Sequence, residues 1–150
     1  MIPVSKIGEA YKKDYETFLR LLILETDQAI KLNTPVDSGR MRQSWQVGQD
    51  GPKPGDDPAE KYEGGRKDHA VKDAKFIGFT HPTIGHDYSL HNNLPYAEAN
   101  AGYVSGFPPS WGGQFRSKKN QVKLGWLEQI KKDLQTEAPK LWDAVQKRRR

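Results

Sequence analysis

Three histidines recur at intervals of five residues and are the first candidates for chemistry: His81, His86 and His91. Imidazole nitrogens are common zinc ligands, and three of them together could hold a metal ion that activates water. A spacing of five, however, places side chains on neither one face of a helix nor one face of a strand. We therefore expect no bound metal. A metal-dependent hydrolase is less favoured than the two other hypotheses given below, a structural protein and a DNA-binding factor.

Other catalytic arrangements find no better support. The chain has no cysteine, which excludes a thiolate nucleophile, a cysteine zinc site and a disulfide framework. Ser38, Ser44 and Ser89 lack the glycine-flanked turn that exposes a nucleophilic serine. The carboxylates of Asp56 and Asp57 lie in a polar stretch that offers no burial for acid–base catalysis. We expect a protein that is not an enzyme and uses no cofactor.

Length and composition indicate one soluble domain that spans residues 1–150. Hydrophobic residues make up 35% of the chain and charged residues 29%, which allows a modest core. No run approaches the roughly 18 apolar residues of a transmembrane helix, so we expect no contact with a membrane. The amino end also lacks the apolar core of a signal peptide, and the absence of cysteine fits a reducing compartment.

Positive charge is concentrated at the carboxyl end. Residues 116–150 contain eleven Lys or Arg against four Asp or Glu, and residues 146–150 form a basic tail. Such a segment could bind DNA or an acidic protein surface. Alternatively, these cations are the solvated end of a helix, where they interact favourably with the helix dipole. The candidate contacts are Lys118, Lys119, Arg148, Arg149 and Arg150.

Two further arginines follow a turn near residue 37. Asp37 can cap a short helical turn over residues 39–43 that contains Arg40 and Arg42. Two residues apart on a helix, these guanidinium groups point roughly 200° from one another, which does not predict a clamp on one phosphate. They could bind a neighbouring subunit's carboxylates or nucleic-acid phosphate, or pair locally with Asp37 and backbone carbonyls. Trp45 is expected to lie in the core.

Two long amphipathic helices are predicted to frame these residues. The first spans residues 5–32, with Asp27 and Lys31 on its polar face. The second starts at Lys118, and Pro139 predicts a break near residues 136–138. Apolar side chains at three- and four-residue steps define the buried stripe of the first helix: Ile7, Tyr11, Tyr15, Phe18, Leu22 and Ala29.

Strands and loops fill the remainder of the chain. An extended segment begins at "SWQV", with Trp45 and Val47 on one side and Ser44 and Gln46 on the other. A long mobile loop covers residues 48–74, and residues 75–81 and 86–93 form a hairpin. A short helix follows over residues 94–102. The predicted fold class is α+β, with the long N-terminal and C-terminal helices packed on a small antiparallel β-sheet and the mobile loop inserted between strands. An aromatic-rich loop follows over residues 103–115. Its three aromatic candidates and four earlier residues form the set of interface candidates: Asp37, Arg40, Arg42, Tyr96, Phe107, Trp111 and Phe115.

Two segments resemble the signatures of a known family. "TPVDSGRMRQSW" (34–45) is similar to the Pro-Val-Asp-Thr-Gly-Arg-Leu-Arg-x-Ser pattern of bacteriophage tail-completion, or head–tail neck, proteins, with Ser38 for threonine and Met41 for leucine. "NNLPYAEANAGY" (92–103) resembles the family's second signature, Asn-x-x-Pro-Tyr-Ala followed by an acidic residue and a glycine. Here the acidic Glu98 follows Ala97 directly, whereas the family more often places it just before the glycine.

The resemblance implies a structural virion protein of the phage neck, assembled in the host cytoplasm. Identical subunits of this family form a ring between the head connector and the tail tube or tail terminator, around a channel for packaged DNA. The alternative, from the residues alone, is a small DNA-binding or DNA-processing factor that uses Arg40, Arg42, Lys118, Lys119 and the terminal arginines.

Overall fold

Two long helices and a three-stranded sheet form the fold in the computed structural model, which describes residues 4–34, 40–52, 71–94, 97, 100, 109–111 and 124–148. The helices are α1 (Val4–Asn33), α2 (Arg40–Gln43) and α3 (Trp126–Lys147), and the strands are β1 (Trp45–Gln49), β2 (Phe76–Ile77) and β3 (Tyr88–Asn92). The predicted α+β class with long terminal helices is confirmed.

The helix α1 matches its predicted span, but its buried face is not the predicted one throughout. Ile23 and Ile30 are buried, as their spacing indicates. Tyr11 and Tyr15 are 53% and 37% exposed, and both rings contact the Trp142 ring of α3. The prediction that Asp27 and Lys31 lie on the exposed face is wrong, because these two side chains pair with each other in the interior.

The sheet has the strand order β2-β1-β3. β1 pairs with β2 in parallel, Val47 opposite Phe76, and with β3 in antiparallel fashion, Val47 opposite Leu90. The predicted hairpin between residues 75–81 and 86–93 is therefore wrong, and the sheet is mixed. β2 is two residues long and is followed by Gly78 with a φ of 80°, a conformation that leaves the extended region.

The central strand β1 is buried on both faces. Trp45 and Val47 lie on one face and Gln46 on the other, as predicted, but Gln46 is only 1% exposed. A strand with two buried faces belongs in the middle of a sheet, where both of its edges are hydrogen-bonded. The sequence shows which side chains share a face, because residue types alternate along the strand. It does not show that both faces are buried, because that depends on the parts of the chain that pack against them.

Gly48 of β1 is expected to tolerate no side chain. A Cβ at this position would lie 2.5 Å from the carbonyl oxygen of Gly51 and 3.1 Å from the His91 ring. Because the first contact is with backbone, Gly48→Ala should lower the free energy of unfolding by about 1–3 kcal/mol in urea denaturation. Gly8→Ala is the matched control, since no atom lies within 4 Å there, and alanine should stabilise helix α1 by about 0.8–1 kcal/mol. Equal effects at the two positions would contradict the packing at Gly48.

The helix α3 begins later than predicted and is not interrupted. Gly125, with a φ of 79°, directly precedes the first helical residue, so a continuous helix from Lys118 is wrong. The helix continues through Pro139, and the predicted break near residues 136–138 is absent from α3. Proline has no N–H, so Pro139 cannot donate to the carbonyl of Gln135 one turn earlier. Both residues are exposed, so water can bind that carbonyl instead.

The core lies where the end of α1, the sheet and the start of α3 meet. Ile30 packs with Ile130 and Trp126, whereas Tyr11 contacts Trp142, so the two long helices run antiparallel. Helix-on-helix and helix-on-sheet contacts thus share one apolar cluster. Its buried members are Ile30, Met41, Trp45, Leu94, Ala97, Trp126 and Ile130.

Several predictions concern residues outside the described part of the chain. Residues 53–70 of the predicted mobile loop lie outside it, whereas Gly48 and Gln49 belong to β1. In the predicted short helix 94–102, the amide of Ala97 donates to the Leu94 carbonyl and that of Asn100 to the Ala97 carbonyl, each at 3.1 Å. These three-residue steps are those of tight turns.

Candidate functional site

The end of α1 and the start of β1 are joined by a short relay of hydrogen bonds. The Trp45 indole N–H donates to Thr34 Oγ1 at 2.9 Å, and the Thr34 hydroxyl donates to the Ile30 carbonyl at 2.6 Å. Thr34 is 2% exposed and Trp45 6%, so water is excluded from both bonds. The hydroxyl accepts one bond and donates the other, which satisfies it fully in the core. The prediction that Trp45 belongs to the core is confirmed.

Arg42 lies between these two elements. Its Nη2 donates to the Leu32 carbonyl at 3.3 Å, at the end of α1, where unpaired carbonyls attract cations. Burial lowers the pKa of Arg42 from its ordinary value, and a guanidinium remains charged under such conditions. Arg42 thus binds a backbone carbonyl of its own chain, which agrees with the alternative that this arginine pairs locally. A contact between Arg42 and a neighbouring subunit stays a prediction.

The second sequence motif packs directly on the first. Asn92 donates from Nδ2 to the Met41 carbonyl at 2.9 Å, and its Oδ1 accepts from the Leu94 amide at 3.1 Å. Trp45 is opposite Asn92 in the pairing of β1 and β3. Leu94 and Ala97 belong to the same buried cluster as Met41 and Trp45. The two motifs, roughly fifty residues apart, are therefore one structural unit.

The helix α3 is attached to that unit at its first residue. The Trp126 indole N–H donates to the Asn100 carbonyl at 3.1 Å, and the ring packs in the shared core. We call this junction the corner and define it by Thr34, Met41, Trp45, Asn92 and Trp126. Because every indole and amide donor named here has a partner, the corner is held by directional bonds as well as by burial.

For most of the predicted interface and DNA-contact residues, the structure does not describe the side chain. Arg148 is exposed, and its amide donates to the Ala144 carbonyl at 3.3 Å at the end of α3. The favourable position of this cation near the helix C-terminus agrees with the helix-dipole alternative. The predicted residues whose side chains are not described are Asp37, Arg40, Tyr96, Phe107, Trp111, Phe115, Lys118, Lys119, Arg149 and Arg150.

The histidines do not come together. The Nδ1 atom of His81 lies 3.1 Å from Nη1 of Arg20, and since a guanidinium only donates, the imidazole nitrogen accepts. The Nδ1 atom of His86 lies 2.8 Å from the Asp50 carboxylate. Within the described ranges, no three His, Cys, Asp or Glu side chains are grouped as metal ligands. These contacts add no support to the metal-dependent hydrolase.

Sequence reasoning missed an exposed cluster of rings, which we call the aromatic end: Tyr11, Tyr15, Phe18 and Trp142. The Trp142 ring centroid lies 5.5 Å from those of Tyr11 and Phe18 and 6.2 Å from that of Tyr15, in edge-to-face arrangements. The periodicity placed Tyr11, Tyr15 and Phe18 on one face of α1 but could not show that, within the described residues, Trp142 of α3 is the ring that packs against all three. Such a partly exposed apolar surface is typical of a contact between proteins.

In the part of the chain that the structure describes, no helix combines the length and apolar character needed to cross a bilayer. The chain was also compared with known protein families, curated proteins and solved structures. No family model matches the chain, and no curated protein and no solved structure is similar enough to count as a match.

Proposed function

We propose that this chain is a structural subunit of the bacteriophage neck. Copies of it would form a ring between the head connector and the tail tube or tail terminator, in the virion, around the channel for packaged DNA. The observation that carries this proposal is the corner. The two segments that resemble the family's signatures contact each other through Asn92 and Met41 and share one core.

Contact between the motifs supports the resemblance in a way that neither motif does alone. Short sequence patterns recur by chance, and each of these two carries only a few matching positions. If both segments belong to one structural joint, they are expected to contact each other directly. Here Asn92 of the second motif is positioned by strand pairing with Trp45 of the first, so the pair has the geometry of one joint between helix, strand and turn.

The aromatic end supplies a surface for such an assembly. Tyr and Trp are enriched at interfaces, because their rings bury large areas at a small cost in conformational entropy. Tyr11 and Tyr15 each contact the Trp142 ring, and such contacts reduce the side-chain freedom that a partner would have to restrict on binding. A contact between different faces of identical subunits closes into a ring when the rotation between them permits.

The proposal is tested by imaging phage particles that lack this protein. Negative-stain electron microscopy should show full heads and complete tails that are separate from each other. A plasmid-borne wild-type copy should restore joined virions and infectivity. Joined, infectious particles in the absence of the protein would contradict the proposal, and salt-sensitive DNA binding by the purified chain would then favour the DNA-binding alternative.

Variants of the aromatic end make that experiment specific. Tyr11→Ser with Tyr15→Ser removes ring contacts worth about 0.5–1.5 kcal/mol each beyond the area they bury, so circular dichroism first checks that the variant is folded. The folded variant should fail to restore joined particles. The matched control is Leu32→Ser with Leu124→Ser, which removes two apolar side chains that are 55% and 52% exposed elsewhere. It should restore joining. Full complementation by the folded tyrosine variant would exclude the aromatic end as a subunit contact.

A further inference from the structure

The most deeply buried cation of the described chain is Lys31, which is 1% exposed. Its Nζ lies 2.8 Å from Oδ2 of Asp27, one turn earlier on α1. The same nitrogen donates to the carbonyls of Lys72 at 3.0 Å and Asp73 at 3.1 Å. An ammonium has three protons to donate, and these three contacts use all of them.

Burial of this pair needs an explanation beyond stability. Removing an ammonium and a carboxylate from water costs several kcal/mol per ion, which their mutual attraction often only offsets. Two apolar side chains would have filled the same space at no such cost. An ammonium, unlike an apolar side chain, can bind two successive backbone carbonyls of a distant segment at a defined position.

The segment that Lys31 holds, residues 71–75, has no regular structure before the two-residue strand β2. The carbonyl of Lys75 accepts from the Val47 amide at 2.8 Å, which attaches this segment to β1. The carbonyls bound by Lys31 lie only two and three residues before that bond. The position of Lys31 is therefore suited to setting where the segment joins the sheet.

We propose that Lys31 is a latch for residues 71–77. Its ammonium, oriented by Asp27, fixes the carbonyls of Lys72 and Asp73 against α1 and thereby allows β2 to pair with β1. Loss of the ammonium releases residues 71–77 as a unit, while the helices and the pairing of β1 with β3 remain. Local opening of a short segment, with the rest of the fold intact, is common in folded proteins. The latch does not depend on the function proposed above.

Amide hydrogen exchange of the full chain, followed by NMR, tests the latch. The Val47 amide reports on the attachment of β2 to β1, and the Ile130 amide in α3 reports on the helices. Lys31→Met alone would leave an unpaired buried carboxylate, so the informative variant combines Asp27→Asn with Lys31→Met and has neither charge. In this double variant, exchange at Val47 should accelerate relative to Ile130 by at least about tenfold, equivalent to ~1.4 kcal/mol.

Asp27→Asn alone is the matched control. It removes the counter-ion but keeps the ammonium and its two carbonyl partners. The chain as a whole should lose stability, but exchange at Val47 should accelerate relative to Ile130 by much less than in the double variant. The latch is overturned if Val47 and Ile130 change in step in the double variant. It is equally overturned if Asp27→Asn alone accelerates Val47 as much as the double variant does, because the ammonium would then have no role of its own.

Discussion

Replacement of Trp45 by alanine is expected to lower the free energy of unfolding by about 3–5 kcal/mol, as for other large buried side chains. The ring is 6% exposed and packs in the cluster that joins α1, β1 and α3. Its removal leaves a cavity at the corner and deprives Thr34 of its donor. Urea denaturation followed by circular dichroism measures the change.

Phenylalanine at this position separates the two contributions of the tryptophan. Trp45→Phe keeps most of the buried ring but cannot donate to Thr34. Because the Thr34 hydroxyl still donates to the Ile30 carbonyl, the lost bond should cost only about 0.5–1.5 kcal/mol. If Trp45→Ala lowers the free energy of unfolding by less than ~1 kcal/mol, the corner is not a tightly packed part of the core. It would then no longer support the proposed function.

The second large effect is expected at Lys31 and depends on pH. Lys31→Met should destabilise the chain by about 3–5 kcal/mol near neutral pH, because Asp27 is then a buried carboxylate without its cation. Burial raises the pKa of Asp27 above its ordinary value of 3.8, while the hydrogen bond and charge of Lys31 lower it. Without Lys31, only the raising effect of burial remains.

The sign of the pH dependence follows from that direction. A carboxyl group whose pKa is higher in the folded than in the unfolded chain binds more protons when folded, so acidification through this range favours folding. The stability lost in Lys31→Met should therefore be largest near pH 7 and should shrink as the pH falls toward about 5. Urea denaturation at both pH values measures it.

The double variant with Asp27→Asn and Lys31→Met provides the reference for this measurement. It has no carboxyl group at position 27, so its difference from the wild type should lack the recovery at low pH that Lys31→Met shows. A Lys31→Met deficit that is constant or that grows on acidification would mean that Asp27 is not the group left unpaired. The buried contact would then have to be reconsidered as a pair of independent hydrogen bonds.

Features set by neighbouring residues were predictable from the sequence. The span of α1 follows from apolar residues at helical spacing, and the short helix before Trp45 follows from the turn-forming residues that precede it. The alternation in β1 was also predictable, because successive side chains of a strand point to opposite faces. For the corner, the two motifs could be recognised separately, but their contact through Asn92 and Met41 could not.

Features that depend on distant parts of the chain were decided only in the tertiary structure. A hairpin was predicted because adjacent strands commonly pair, yet β1 lies between β2 and β3. Lys31, distant in the chain, binds the carbonyls of residues 72 and 73 just before β2. Asp27 and Lys31 have the spacing of an ordinary exposed ion pair, and only the carbonyls of residues 72 and 73 explain their burial.

The sequence by itself determined the α+β class, the course of α1 and the place of Trp45 in the core. Local spacing and turn chemistry are sufficient for these features, because helix and strand periodicity act over a few residues. Only the tertiary structure decided the strand order, the buried latch and the exposure of the aromatic end. Burial is a property of what packs against a residue, and residues distant in the chain supply that packing.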